Sequence, residues 1–205
     1  MVKAISGRVM LGVDLGKRQT PATIVAVEQQ LGDRVWDAVR RCWQPGLGRD
    51  VLVVRWVESI ALETSYDKVA RRIWVVAESA GAAVIWMDGT GVGVAVEEMV
   101  RERKPSTLRC ALRPVMITSG RLASGTSVPR NELLMRLAVE WQEGRVRVAA
   151  GLSRWPELRK ELLALDGNGR KRYGRDDLAL GLALAVWGFK GVGAAVGERG
   201  DGRLV

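Results

Sequence analysis

The side chains best suited to chemistry in this chain are four aspartates at three places along the sequence. Asp14 ends one apolar run, Asp88 ends another, and Asp176 and Asp177 follow a basic stretch. Clustered carboxylates repel one another and are costly to bury unless a cation neutralises them. A fold that gathers these three places would therefore create a site for one or two divalent cations.

Each of these aspartates also has a purely structural explanation. Asp14 in VDLGK and Asp88 in DGTG are suited to begin turns, and Asp176 and Asp177 are suited to cap a helix, whose dipole favours negative charge there. The interpretation as a site depends on finding all three places in one chain with an unusual set of possible ligands.

That set is limited because the 205-residue chain contains no histidine and only two cysteines, Cys42 and Cys110. Serine or cysteine nucleophile systems that need histidine are excluded, as are HExxH and Cys₂His₂ zinc sites. Any metal must be held by carboxylates, which favour a hard cation such as Mg²⁺ or Mn²⁺.

The charge balance indicates a polyanionic partner. Thirty-two lysines and arginines against 23 acids give a formal net charge of +9, and the pI is about 10.2. Phosphate neutralisation by such a surface releases condensed counterions and favours binding to nucleic acid. The apolar run Leu178 to Phe189 is too short to span a bilayer, and the amino terminus lacks a signal-peptide core. We therefore expect a cytoplasmic protein without a membrane partner.

Hydrophobic patterning predicts three strands followed by alternating helices and strands. The strands, joined by short turns, are expected to form an antiparallel meander: Arg8 to Asp14, Ala22 to Glu28 and Val51 to Val57. The remaining predicted elements are a helix after Thr64 or Ser65, a strand Ala82 to Met87, a helix ending near Lys104, a strand Pro114 to Thr118, a flexible loop Ser119 to Ser127, a helix Arg130 to Gln142, a strand Arg145 to Ala149, a helix Pro156 to Leu165 and a helix from Asp176.

This order predicts an α/β domain with a mixed central sheet, antiparallel in its first three strands and flanked by helices. We expect one domain over residues 1–187 and a glycine-rich, flexible tail over residues 188–205. Ligand sites of open α/β sheets lie at the carboxyl ends of strands, so Asp14 and Asp88 are expected to be neighbours. Small residues at 179, 181 and 183 would let the last helix approach the sheet and bring Asp176 or Asp177 to them.

At this point an ordered series of segments resembles the nuclease domain of the bacteriophage large terminase subunit, over almost the whole chain. The opening segment VMLGVDLGKRQTPATIVAVE and the second-acid segment VIWMDGTGVGVAVEEMV carry it first. Further matches are ITSGR, VPRNELL, EGRVRVA, LRKELLAL and RDDLALGLALAVW. No single one of these segments is specific for the family, but their order and spacing along the chain are.

The resemblance implies a ribonuclease H-like fold and an endonuclease that cleaves concatemeric viral double-stranded DNA during genome packaging. It implies that Asp14, Asp88 and the Asp176–Asp177 pair bind two Mg²⁺ or Mn²⁺ ions, with Asp177 favoured within the pair. Phosphate contacts are expected from two basic stretches: Lys17, Arg18, Arg170, Lys171, Arg172 and Arg175. The implied partners are a packaging ATPase domain, a portal and a small terminase subunit, in the cytoplasm of an infected or lysogenic bacterial host.

Two positions depart from the family. Arg175 stands where a histidine commonly precedes the paired aspartates, and Thr20 stands where an acid commonly follows the first one. A charged arginine neither binds a metal nor acts as a base, but it can hold a phosphate. The chain also contains no GxxxxGK[ST] motif, so ATP hydrolysis is not expected from it.

Three other interpretations remain open. The acids would look the same in another ribonuclease H-like nuclease, such as a junction resolvase. The departures at Arg175 and Thr20 would suit a catalytically weak DNA-binding or packaging module. VDLGKRQT and DGTGVG resemble phosphate-binding turns of the sugar-kinase, actin and heat-shock-chaperone group, although that group generally needs two such lobes.

Overall fold

The computed structural model of the protein describes residues 5–16, 20–32, 34–37, 39–45, 48–91, 93–120, 124–166 and 173–189. Nine strands and five helices follow one another in these residues: β1 Ile5–Asp14, β2 Thr23–Leu31, β3 Arg34–Asp37, β4 Cys42–Pro45, β5 Val51–Ser59, α1 Tyr66–Ala80, β6 Ala82–Asp88, α2 Gly93–Glu102, β7 Ala111–Thr118, β8 Ser127–Pro129, α3 Arg130–Gln142, β9 Val146–Val148, α4 Trp155–Leu163 and α5 Asp177–Trp187.

Seven strands form one mixed sheet in the order β8-β7-β6-β1-β2-β5-β9. The predicted meander is confirmed, because β2 pairs antiparallel with both β1 and β5. Strands β6, β7, β8 and β9 join in parallel pairings, and helices connect the paired strands except β7 and β8, which follow each other directly. This is the predicted α/β fold with a mixed central sheet.

The stretch between β2 and β5 contains more structure than predicted. Strands β3 and β4 pair antiparallel and form a separate two-stranded hairpin, with Trp36 opposite Trp43. Each strand has four residues, which is too short for alternation of apolar and polar side chains to stand out.

Helices cover both faces of the sheet and create two layers of apolar core. One face packs against α1 and α2, and the other packs against α3, α4 and α5. In α1, Val69, Ile73, Val76 and Ala77 are buried, which confirms the predicted apolar face. Gly81 ends this helix in the left-handed conformation, with a φ of 65° that suits glycine.

The predicted loop at Ser119 to Ser127 ends in a strand instead. Strand β8 pairs in parallel with the end of β7, so that Thr118 lies beside Pro129. Strand β8 has only three residues, which is too short for a strand pattern to be recognised in the sequence. It pairs because it provides hydrogen-bond partners for the backbone groups at the edge of β7. As a result α3 begins with Arg130 at the edge of the sheet where Asp88 ends β6.

Helix α5 is the central buried helix. Its residues from Leu178 to Trp187 are all buried, since it lies between the sheet and helices α3 and α4. The close approach takes place at glycines: a Cβ atom built on Gly12 would lie 1.9 Å from the carbonyl oxygen of Gly181. Two glycines therefore let the helix backbone lie directly on β1.

The expected tail begins beside this helix. Phe189 is buried in the same core layer as α5, and residues 190–205 lie outside the described part of the chain. None of the helices in the described ranges is both long enough and apolar enough to cross a membrane.

Candidate active site

Parallel pairing of β1 with β6 places Asp14 and Asp88 side by side. Val13 lies opposite Met87 in this register, and each aspartate is the next residue and the last of its strand. Both carboxylates therefore stand at the carboxyl edge of the sheet, which is the edge where ligands of α/β proteins bind.

Each of these carboxylates also stabilises the turn that follows its strand. The backbone N–H of Gly16 donates to Oδ1 of Asp14 at 3.1 Å, and the N–H of Thr90 donates to Oδ1 of Asp88 at 2.8 Å. The turn explanation considered for both residues thus holds, and it is compatible with a site. These hydrogen bonds fix the direction in which the two carboxylates point.

Thr23 holds the third acidic segment, Asp176–Asp177, at the same edge of the sheet. This threonine pairs with Asp14 across the β1–β2 register, and it is fully buried. Its hydroxyl donates to the backbone carbonyl oxygen of Asp177 at 3.0 Å, which attaches the first residue of α5 to the strand beside Asp14.

The electrostatics of Asp14 show that the acids share one environment. The pKa of its carboxyl is raised from 3.8 to about 7, mainly by burial and also by the negative charges of Asp88 and Asp177. The hydrogen bond from Gly16 and the positive charge of Arg130 act in the opposite direction. Asp14 is therefore affected electrostatically by Asp88 and by the Asp176–Asp177 pair. Within that pair, the charge that raises its pKa is that of Asp177.

This pKa predicts how the stability of the metal-free protein varies with pH. The folded protein holds the Asp14 proton up to about pH 7, whereas the unfolded chain loses it near 3.8. The folded state therefore binds more protons between these values, and its free energy of unfolding falls as the pH rises through this window, by up to roughly 4 kcal/mol.

Chemical denaturation in EDTA at a series of pH values would measure this. The control is Asp14→Asn, which carries no titrating group at this position. The stability difference between variant and wild type should widen from pH 4 to pH 7 and stay constant above pH 7. Parallel pH profiles for the two proteins would contradict the assignment.

Asp176 faces a different partner from Asp177. It occupies the N-cap position of α5 but makes no side-chain cap hydrogen bond there. Instead the guanidinium of Arg130, at the start of α3, donates to its carboxylate in a half-buried ion pair. The same guanidinium interacts electrostatically with Asp14 and Asp177. Arg130 thus supplies positive charge next to Asp14, Asp176 and Asp177.

Glu161 of α4 adds a carboxylate that the sequence analysis missed. Its Oε2 accepts a hydrogen bond from the backbone N–H of Ala179 at 3.0 Å. Burial raises the pKa of this carboxyl, and the charge of Asp177 also raises it, while Arg175 lowers it. Glu161 therefore lies beside the amino terminus of α5 and within electrostatic reach of Asp177.

The donor chemistry of this edge fits a divalent cation. Asp14, Asp88 and Asp177 supply carboxylate oxygens, and a positive charge among them would relieve the repulsion that Asp88 and Asp177 exert on the buried Asp14. Within the described ranges, no three acidic or cysteine side chains stand close enough together to hold one ion as they are. The cation would therefore have to draw the carboxylates closer to one another.

The basic residues assigned to DNA fall mostly outside the described part of the chain. Lys17 and Arg18 do, and so does the stretch from Arg170 to Arg172. Arg175 is described: it is exposed to solvent, directly before Asp176, and it interacts with Glu161. A cation is thus present next to the acids on the solvent side.

Three residues at the site were not singled out by their spacing: Thr23, Arg130 and Glu161. All three lie in segments that carry the resemblance given above, namely VMLGVDLGKRQTPATIVAVE, VPRNELL and LRKELLAL. Those segments were therefore the available signal, but no local pattern distinguishes a threonine, arginine or glutamate that reaches a distant helix.

Neither the known protein-family profiles nor the curated proteins contain a match to this sequence. Solved structures do match. The large terminase nuclease from thermophilic phage G20c is 19% identical, with a TM-score of 0.57 over 87% of this chain and 80% of that one. The nuclease domain of the large terminase subunit of bacterial virus Sf6 is 14% identical, with a TM-score of 0.56 over 90% and 89%.

These similarities show that the chain has a ribonuclease H-like fold. The resemblance to large terminase nuclease domains, first seen in the order of the sequence segments, is confirmed at the level of the fold. The G20c nuclease has also been solved with cobalt and with zinc, and the Sf6 domain with manganese.

Proposed function

We propose that this protein is a metal-dependent endonuclease that hydrolyses phosphodiester bonds in double-stranded DNA. The observation that carries the proposal is the placement of Asp14 beside Asp88 at the carboxyl edge of a ribonuclease H-like sheet, with Asp177 near enough for its charge to raise the pKa of Asp14. A net charge of +9 supports an anionic polymer as the substrate.

In this proposal Asp14, Asp88 and Asp177 hold Mg²⁺ or Mn²⁺, two ions in all. Bound divalent ions lower the pKa of water and neutralise charge that develops on phosphate. The residues of this chain position the carboxylates: the turns after β1 and β6 orient Asp14 and Asp88, and Thr23 holds the start of α5. Asp176 belongs to the site through its ion pair with Arg130.

Arg130 and Arg175 are the described cations at this edge that suit phosphate. Arg130 lies among the carboxylates, and Arg175 is exposed next to them. Phosphate contacts position a duplex without reading its sequence. We include Lys17, Arg18, Arg170, Lys171 and Arg172 in the same DNA-binding role on the basis of their charge and their place in the sequence.

The similarity to the G20c and Sf6 terminase nucleases supports a biological role for this activity. We propose that the protein cleaves concatemeric viral DNA during genome packaging, in the cytoplasm of a bacterial host. A packaging ATPase domain, a portal and a small terminase subunit would then be its partners.

A second candidate function is a DNA-binding packaging module with little catalysis. Two observations favour it: Arg130 already pairs with Asp176, and no three potential ligands within the described ranges are grouped around one point. Arg175 in place of a histidine points in the same direction. This candidate predicts salt-sensitive DNA binding without metal-dependent cleavage.

The test is incubation of the purified protein with supercoiled plasmid, linear duplex and a four-way junction, each in Mn²⁺, Mg²⁺ or EDTA. Cleavage of plasmid and duplex that requires the metal is the expected result. Selective cleavage of the junction would favour a resolvase instead. Binding that weakens with salt, without cleavage, would favour the module, and the absence of both would contradict any role on DNA.

A further inference from the structure

Helix α5 begins without the cap that its sequence predicts. Asp176 stands at the N-cap, where an aspartate normally accepts a hydrogen bond from the first turn. Its side chain makes no such bond and pairs with Arg130 instead. The first-turn N–H groups of this buried helix therefore need an acceptor from elsewhere in the fold.

Glu161 of α4 is that acceptor. Its Oε2 lies 3.0 Å from the backbone nitrogen of Ala179, and it also accepts a hydrogen bond from the N–H of Leu178. Both N–H groups belong to the first turn of α5. A carboxylate in this place is further favoured by the positive end of the helix dipole.

The bonds made by Thr23 and Glu161 hold the peptide unit that directly follows the Cα atom of Asp177. Thr23 holds the carbonyl oxygen of Asp177, and Glu161 holds the N–H groups of the next two residues. The direction of the Asp177 carboxylate depends on how this peptide unit is held, because its carbonyl carbon is bonded to the Cα atom from which the side chain projects.

We propose that Glu161 is a positioning residue, which sets the Asp177 carboxylate against Asp14 and so determines the affinity of the site for divalent cations. This inference rests on the proposed function insofar as Asp177 binds the metal. It assigns Glu161 an effect through the backbone of α5, and not the role of a ligand.

Two substitutions separate these roles. Glu161→Ala removes the acceptor, whereas Glu161→Gln keeps a side-chain oxygen that can accept the N–H of Ala179 and loses only the charge. A positioning residue is rescued by glutamine, and a metal ligand is not. The matched control is Glu157→Ala: Glu157 lies on the same helix, is more than half exposed in its side chain and pairs with Arg154.

The measurement is calorimetric titration of Mn²⁺ into the purified full chain, with circular dichroism to show that each variant is folded. We expect Glu161→Ala to weaken Mn²⁺ binding by about 10- to 100-fold, the range typical of residues that orient ligands. Glu161→Gln and Glu157→Ala should remain within roughly threefold of wild type, which would be below the smallest effect in that range. Hydrogen exchange at Leu178 and Ala179 should accelerate in Glu161→Ala alone.

Several outcomes would overturn the inference. Unchanged Mn²⁺ affinity in Glu161→Ala would overturn it and leave the proposed function standing. Equal loss in folded Glu161→Gln and Glu161→Ala would show that Glu161 is a ligand. If Glu161→Ala does not fold, a loss of Mn²⁺ affinity in folded Glu161→Gln would still overturn the inference, and retained affinity together with unchanged hydrogen exchange at Leu178 and Ala179 would support it. Wild-type protein that binds no Mn²⁺ would overturn the proposed function, and this inference with it.

Discussion

Replacing Asp14 with asparagine is expected to abolish metal-dependent DNA cleavage and, at the same time, to stabilise the metal-free protein. Asp14 is the acid on which the charges of Asp88 and Asp177 both act. Asparagine keeps the size and the hydrogen-bond acceptor for Gly16 but removes the charge that a cation needs. Loss of several kcal/mol of transition-state stabilisation corresponds to a rate lower by roughly 10³-fold or more.

The gain in stability has the same origin as the loss of activity. Asp14 is 7% exposed and carries a charge that its surroundings disfavour. A neutral side chain removes this repulsion, as is common where an active site holds like charges together. Plasmid cleavage in Mn²⁺ and thermal unfolding in EDTA, both at pH 8, would measure the two effects in one set of preparations.

The matched control is Glu78→Gln, which also neutralises one acid. Glu78 is exposed in the last turn of α1, near the start of β6 and therefore at the opposite edge of the sheet from Asp88. The Glu78→Gln variant should cleave DNA at the wild-type rate. Cleavage by Asp14→Asn at the wild-type rate would refute the assignment of the site, whatever the stability of that variant.

The second large effect is expected from Gly12→Ala, which should destabilise the fold severely. The added Cβ would lie 1.9 Å from the carbonyl oxygen of Gly181 and 2.5 Å from the backbone nitrogen of Ala185. Both atoms belong to the backbone of α5, so the whole helix would have to move away from the sheet. Overpacking of a well-packed core costs about 1–3 kcal/mol, and a backbone clash of this kind should reach or exceed the upper end.

Equilibrium urea denaturation would measure this loss, and cleavage by any folded fraction would test its consequence for the site. A shift of α5 also moves Asp177 away from Asp14, so activity should fall with stability. The control is Gly120→Ala, since among the described residues a Cβ there would meet only the hydroxyl oxygen of Thr118, at 3.3 Å. Wild-type stability in Gly12→Ala would show that α5 does not lie on β1 as described.

Much of the fold could be predicted because its signals are local. The continuous apolar runs along β1, β2 and β5 and the helical spacing in α1 depend on neighbours within a few positions. The rule that ligands gather at the carboxyl ends of strands then predicts that Asp14 lies beside Asp88. The hairpin β3–β4 and the short strand β8 escaped because each strand has only three or four residues.

The sequence by itself determined the chemistry that is open to this protein. A chain without histidine and with two cysteines can hold a metal only through carboxylates, and its excess of arginine and lysine favours a polyanion. These conclusions follow from composition, which does not depend on how the chain folds.

Only the tertiary structure decided which groups the paired aspartates contact. Asp176, at the N-cap before α5, pairs with Arg130, whereas the charge of Asp177, the first residue of the helix, acts on Asp14. The hydrogen bonds at the start of this helix span 18 positions for Glu161, 46 for Arg130 and 154 for Thr23. Contacts at such separations leave no periodic trace in a sequence, because they depend on which elements the fold brings together.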